Sequence, residues 1–327
     1  MSRVNIDTGL DPQMRAVLAK QAELSPAQTD YKDLPLAQVR DLYDAERRYW
    51  NADGPDLPRV EDRGIPGPFG EIPVRAYYPA GAGPVPALVY LHGGGWIVGN
   101  PGTHDKITRL LALDAACAVI SVDYRLAPEH KFPMQLEECL AVVRHLAANA
   151  GDWGLDGGRL AIGGDSAGAN MSLAACLDLR DAGEHLVQAG LLYYGAFGLR
   201  DSGSRRKYGG VEDGMSAADL AYYKSCLVRS PEDLHDPRID LLSRDMAGLP
   251  PLLIAAAEYD PLYDDSQVLA DLLADAGVAH RLTVYQGVLH GFLHYSRLLD
   301  KARAAIDEGT AWLHEIFTAE AAARTGS

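Results

Sequence analysis

Hydrophobic and polar positions change rhythm twice along this chain. Residues 12–24 carry Met14, Val17 and Leu18 on a helical period, and Leu36, Val39 and Tyr43 repeat it in a second segment ending near Trp50. A passage rich in proline and glycine follows, from Pro55 to Pro73. Such a passage holds only short edge strands, and Val74-Arg75-Ala76-Tyr77-Tyr78 is the best of them. From Ala87 a βα alternation sets in. Apolar runs at 87–91, 118–122, 159–163, 187–194, 252–256 and 281–285 predict strands. Segments 103–117, 134–149, 167–179 and 263–276 predict the helices between them. Continuous apolar strands between amphipathic helices predict an α/β fold: a mostly parallel sheet covered on both faces. A long last helix puts Leu299, Ala302, Ile306, Leu313 and Phe317 on one side, and the tail 319–327 is expected to fray.

Residues 199–248 interrupt the alternation. They show no strand signal, a basic turn at Ser204-Arg205-Arg206-Lys207, and a helix announced by the capping box Ser216-Ala217-Ala218-Asp219. An insertion between two strands of a sheet is suited to form a lid over a site.

Composition narrows the function. With 327 residues and an apolar fraction of 47%, the chain can build one large α/β domain. A formal charge of −15 repels phosphate backbones and anionic lipid, so neither nucleic acid nor membrane is an expected partner. The N-terminus lacks a signal-like apolar region and no apolar run is long enough to span a bilayer. Cys117, Cys139, Cys176 and Cys226 all fall in helix-like segments without CxxC or histidine spacing, and read as buried thiols in a reducing compartment. A cytoplasmic protein is the expectation.

The chemistry centres on Gly164-Asp165-Ser166-Ala167-Gly168, a G-x-S-x-G pentapeptide between a predicted strand and a predicted helix. That is the setting of a nucleophile elbow, where small flanking residues allow a tight turn that lifts Ser166 above the sheet. A serine hydroxyl needs a base. In the order Ser, acid, His, the histidine should follow the last strand, and His290 does so in Leu289-His290-Gly291-Phe292. His294 is its nearest rival. The pair His290/His294 has an H-x-x-x-H spacing but no glutamate between and no third ligand, so no metal is expected. The acid should follow the preceding strand, which points to Asp260, with Glu258 as the alternative. Asp264 and Asp265 read as helix N-terminal charges, and Asp165 as a structural support. For the oxyanion, His92-Gly93-Gly94-Gly95-Trp96 follows the first long strand, and glycines there let backbone N–H groups approach a reacting carbonyl. The expected donors are Gly94, Gly95 and Ala167. Phosphate-loop and dinucleotide readings of the same glycines fail: no Lys-Ser/Thr follows Gly168, and the motif comes late in the alternation.

Five motifs together carry a family resemblance: His92–Trp96, Asp123-Tyr124-Arg125-Leu126-Ala127-Pro128-Glu129, Gly164–Gly168, Asp260-Pro261-Leu262 and His290-Gly291-Phe292. With them the chain resembles the hormone-sensitive-lipase-like (family IV) carboxylesterases of the α/β-hydrolase superfamily. Residues 194–202, 204–206 and 289–297 bring it closest to the bacterial acetyl esterases. The resemblance implies an α/β-hydrolase fold over 1–327, with a helical cap from 1–50 and 199–248 and a catalytic core from 51–198 and 249–327. It implies Ser166, Asp260 and His290 as a triad, Gly94, Gly95 and Ala167 as oxyanion donors, and His92 and 123–129 as structural supports. It also implies a small-molecule ester with a short acyl chain (acetyl to butyryl) as substrate, no cofactor, and homodimers. One departure is Ala169, where many members have another glycine; its methyl narrows the floor of the elbow. An amidase or lactonase would use the same machinery. A non-catalytic ligand-binding protein on this scaffold would be marked by loss of the histidine, and His290 is present.

Overall fold

The computed structural model describes residues 9–24, 31–81, 83–209 and 215–325. Eight strands form one sheet in the order β1-β2-β4-β3-β5-β6-β7-β8. The strands are β1 (Arg59–Gly67), β2 (Gly70–Tyr78), β3 (Val85–Leu91), β4 (Ala118–Val122), β5 (Leu155–Asp165), β6 (Ala189–Tyr193), β7 (Leu252–Tyr259) and β8 (His280–Leu289). β2 runs antiparallel to both its neighbours, and β3 to β8 are mutually parallel. Every position of β4 and β6 is buried, as expected for strands covered on both faces.

The helices are α1 (Pro12–Leu24), α2 (Leu36–Asn51), α3 (Asp105–Asp114), α4 (Met134–Ala148), α5 (Ala167–Asp181), α6 (Gly203–Tyr208), α7 (Ala217–Leu227), α8 (Tyr263–Asp275) and α9 (Asp300–Thr325). Two apolar clusters separate by sheet face. Leu136, Leu173 and Leu269 of α4, α5 and α8 fill one. Val17, Leu111 and Ile306 of α1, α3 and α9 fill the other. Among the described residues no helix is long and apolar enough to cross a membrane.

Several sequence expectations need correction. The proline-rich passage forms a nine-residue-per-strand hairpin rather than short edge strands, closed by a loop of only Pro68 and Phe69 between Gly67 and Gly70. Its prolines are tolerated because β1 is an outer strand and because β2 bonds β4 only over Val74–Tyr77, beyond Pro73. The helix expected over 103–117 begins at Asp105 and ends at Asp114, leaving Cys117 in the turn before β4. All four cysteines are nonetheless buried and free. The basic turn at 204–207 is helical, in α6. The tail does not fray at Ala319: α9 runs on to Thr325, through an alanine-rich stretch of high helix propensity. The expected cap and tail include residues 1–8, 25–30, 210–214 and 326–327, which lie outside the described residues.

Asp265 does more than charge a helix end. Its Oδ1 accepts from the N–H groups of Phe197 (2.9 Å), Gly198 (3.1 Å) and Leu199 (3.2 Å), and its other oxygen pairs with Arg205. Asp264 similarly accepts from the Ser204 N–H at 2.9 Å. These two carboxylates fasten the start of the inserted segment to the first turn of α8. Asp265→Ala leaves three donors and a buried guanidinium unpaired. It should lower stability by about 3–5 kcal/mol, read from the midpoint of urea denaturation; an unchanged midpoint would remove this anchor.

Candidate active site

The elbow follows from close packing. A Cβ on either Gly164 or Gly168 would overlap the carbonyl oxygen of Leu91 in β3. Only glycine lets the turn sit this close to the neighbouring strand. Between them Ser166 takes φ 52° and ψ −113°, a left-handed backbone that a side chain adopts only under constraint. Its N–H is tied to Tyr193 O at 2.8 Å, and α5 starts at the next residue.

Ser166 Oγ lies 2.9 Å from His290 Nε2, and His290 Nδ1 lies 2.7 Å from Asp260 Oδ2. The carboxylate accepts the Nδ1 proton, so Nε2 presents its lone pair to the serine hydroxyl. Asp260 is buried, and its Oδ1 accepts from the Leu262 N–H at 2.7 Å, which fixes the carboxylate plane. His290 packs edge-on against Tyr194, ring centroids 5.0 Å apart. Tyr194 sets that wall from just past the end of β6, and no local sequence signal singled it out for the site.

The rivals are separated by this arrangement. Glu258 Oε2 accepts from the Gly287 N–H at 2.7 Å instead of touching His290. His294 is turned into the interior by the bend at Gly291 (φ 73°) and meets His104, ring centroids 4.5 Å apart. Burial first, then the charge of Arg47, holds His294 well below the ordinary histidine range, so it is neutral.

The glycine loop lies beside the elbow. Gly94 has φ 122°, and a Cβ there would run into the backbone of Val98. Among the described residues no backbone acceptor takes the N–H of Gly94 or Gly95. Ala167 opens α5, where the first N–H groups have no partner within the helix. The Gly93 N–H, by contrast, is occupied: it donates to Asp165 Oδ1 at 2.9 Å. That carboxylate also accepts from Tyr90 OH at 2.9 Å and meets His104 Nε2 at 3.2 Å. Burial would raise the Asp165 carboxyl, but the His104 ring and the hydrogen bond from Tyr90 outweigh it and hold it well below the usual range. Asp165 is thus a support, and the loop carrying Gly94 and Gly95 is what it supports.

His92 is buried, stacked on Tyr124 at 4.2 Å, with Nδ1 2.8 Å from Gly93 O. Burial, then His104, brings it down to about 3, so it is a neutral spacer. The Ala169 methyl is fully buried, next to Gly195. His104, Asp165 and His294 offer ligand atoms within 4.8 Å of one another, the one group among the described residues with the makings of a metal site.

Above the loop lies a third, smaller apolar cluster. It joins Val39 of α2, Ile97 and Val98 of the loop and Cys226 of α7, with Tyr31, Tyr222 and Tyr223 against it. Asp219 of the Ser216 capping box also accepts from Tyr31 OH (2.9 Å) and Lys32 Nζ (2.5 Å). Arg40 of α2 reaches Ile97 O at 2.8 Å and grips Glu129 with both terminal nitrogens. The N-terminal segment and the insertion therefore pack on each other and on the glycine loop.

Comparison with known proteins agrees with this architecture. The alpha/beta hydrolase fold family matches residues 88–294, more than half of the chain. The chain is 39% identical to the acetyl esterase of Salmonella paratyphi A over 314 residues, 94% of this chain and 95% of that one. An esterase of the archaeon Pyrobaculum calidifontis superposes with a TM-score of 0.89 at 36% identity, covering 94% and 98% of the two chains. An ester hydrolase from the Lake Arreo metagenome, solved with a bipyridine phosphonate derivative, gives 0.90 at 38% identity, covering 94% and 99%. Sequence, sheet order and site geometry agree, and the chain belongs to the hormone-sensitive-lipase-like esterases of the alpha/beta hydrolase fold family.

Proposed function

We propose that this carboxylic-ester hydrolase cleaves short-acyl esters through an acyl-enzyme on Ser166. The observation that carries the reading is the unbroken contact from Ser166 Oγ through His290 to Asp260. Ser166 Oγ attacks the ester carbonyl carbon while His290 Nε2 takes its proton. The carbonyl oxygen becomes an oxyanion held by the N–H groups of Gly94, Gly95 and Ala167. Collapse breaks the bond to the alkoxy group, which leaves with the proton from His290. Water then repeats the sequence on the acyl-enzyme and frees the acid. Asp260 stays ionised and steadies the imidazolium.

A small cavity lies between Trp96 of the glycine loop and α5, and in this proposal its tightness is what limits the acyl chain. Trp96, Phe132, Met171, Leu227 and Ile239 crowd it with bulky side chains. The acetyl esterase relative supports the same reading. In this proposal the cap is built from the N-terminal segment and the insertion, joined at Tyr31, Lys32 and Asp219. A small-molecule ester is the partner, with homodimers and a reducing cytoplasm as the setting; the free buried thiols suit the latter.

Nitrophenyl acetate, butyrate and octanoate test the acyl preference. Acetate and butyrate should have kcat/KM at least about tenfold above octanoate, since each poorly housed methylene forfeits burial energy. A preference for octanoate would defeat the short-chain reading while leaving the mechanism intact.

A further inference from the structure

The contacts around His104 fix where its protons are. Thr103 Oγ1 lies 2.7 Å from Asn100 O, 3.0 Å from the Asn100 N–H and 2.8 Å from His104 Nδ1. The hydroxyl owns one proton. Asn100 O has none, so the hydroxyl must donate there; otherwise two bare oxygens would face each other at 2.7 Å. Nδ1 can then approach Thr103 Oγ1 only as a donor. On the other side of the ring, Nε2 faces Asp165 Oδ1 at 3.2 Å. That oxygen already accepts from Tyr90 OH and the Gly93 N–H, so it acts as an acceptor. A bare Nε2 would leave an electron-rich nitrogen 3.2 Å from a carboxylate oxygen, with no proton to offset their repulsion. The approach is off the line of a well-formed hydrogen bond, so the attraction is that of an ion pair.

We propose that His104 is a fully buried imidazolium whose charge holds Asp165 in place, and through Asp165 holds the Gly93 N–H and the oxyanion loop. His104 is thereby a positioning residue, and the inference rests on the oxyanion reading above. The surroundings leave the charge on this ring. Burial is the first cause that drives both His92, its centroid 5.6 Å away, and His294 neutral, and Arg47 adds to it at His294. Tyr90 from β3 donates to Asp165 and remains protonated, with burial pushing its hydroxyl far up. Arg47 of α2 lies behind His294 and opposes a second positive charge there. The N-terminal end of α3 also opposes the charge on His104, and the Asp165 pair offsets it. A protonated Nε2 leaves no lone pair for a cation, so the cluster of His104, Asp165 and His294 is closed to metal.

The deciding measurement is nitrogen NMR on the full chain carrying ¹⁵N-histidine, at pH 7 without and with a chelator. The His104 ring is assigned in the unaltered protein from its contacts with Tyr90 and His294. Both ring nitrogens should carry protons, and the chelator should change nothing. One bare nitrogen overturns the proposal, and a chelator-sensitive signal replaces it with a metal site. His104→Gln keeps a neutral donor toward Asp165 but loses the charge. It should lower kcat on nitrophenyl acetate by about tenfold to a hundredfold, with KM within about twofold. A wild-type kcat in folded His104→Gln overturns the positioning role; if the variant does not fold, the NMR result decides. Ser166→Ala is assayed alongside: activity there would defeat the acyl-enzyme reading, whereas the protonation of His104 is read independently of it.

Discussion

Ser166→Ala should lower kcat on nitrophenyl acetate by about a millionfold, the scale on which a triad nucleophile is lost. The structure explains why little else should change. Alanine keeps the Cβ that Ser166 already places in its left-handed backbone, so the elbow meets no new clash. The Ser166 N–H to Tyr193 O bond and the glycine packing against Leu91 involve no hydroxyl. KM should therefore stay within a few-fold and thermal stability within about 1 kcal/mol. What persists is the rate that binding and the oxyanion donors supply, on the order of a thousandfold over water. The measurement is steady-state hydrolysis with protein freed of contaminating esterases, read against the thermal midpoint. Activity within about tenfold of wild type would take the nucleophile role from Ser166.

The elbow was legible because its glycines report on a contact. Their spacing in G-x-S-x-G is the spacing at which backbone meets Leu91 O on both sides of the turn. The placement of His290 was legible for a related reason. Gly291 permits the bend that leaves His290 at the tip of β8 and turns His294 inward. The choice between Glu258 and Asp260 was harder. Glu258 and Asp260 are two residues apart at a strand end, so strand periodicity puts both on one side. Only the structure shows Glu258 spent on Gly287 and Asp260 on His290.

What stayed hidden depends on contacts between distant parts of the chain. His104, Asp165 and His294 are far apart in sequence and meet only because α3, β5 and the turn after β8 converge. Asp265 likewise reads as a helix-end charge until Phe197–Leu199 and Arg205 are brought to it. The β1–β2 hairpin was underestimated because proline counts against a strand only where an N–H is needed, and neither the outer strand β1 nor Pro73, which lies before the β2–β4 ladder begins, makes that demand.

Asp260→Asn should lower kcat by about ten-thousandfold, whereas Glu258→Gln should stay within about threefold of wild type. The asymmetry comes from the tautomer. Asp260 Oδ2 accepts the Nδ1 proton of His290 at 2.7 Å, which aims the Nε2 lone pair at Ser166. The other oxygen is committed to the Leu262 N–H, so an asparagine keeping that bond turns its amide N–H toward Nδ1. The imidazole then shifts its proton to Nε2 and cannot accept from the serine. It also loses the negative charge that steadies the imidazolium. Glu258 offers neither service: its oxygen accepts from the Gly287 N–H at 2.7 Å, a bond a neutral amide oxygen can also make. Glu258→Gln should therefore register as at most about 1–2 kcal/mol of stability. Parallel kcat and urea-midpoint measurements on the two variants separate these effects. The reverse ranking of kcat would transfer the acid to Glu258.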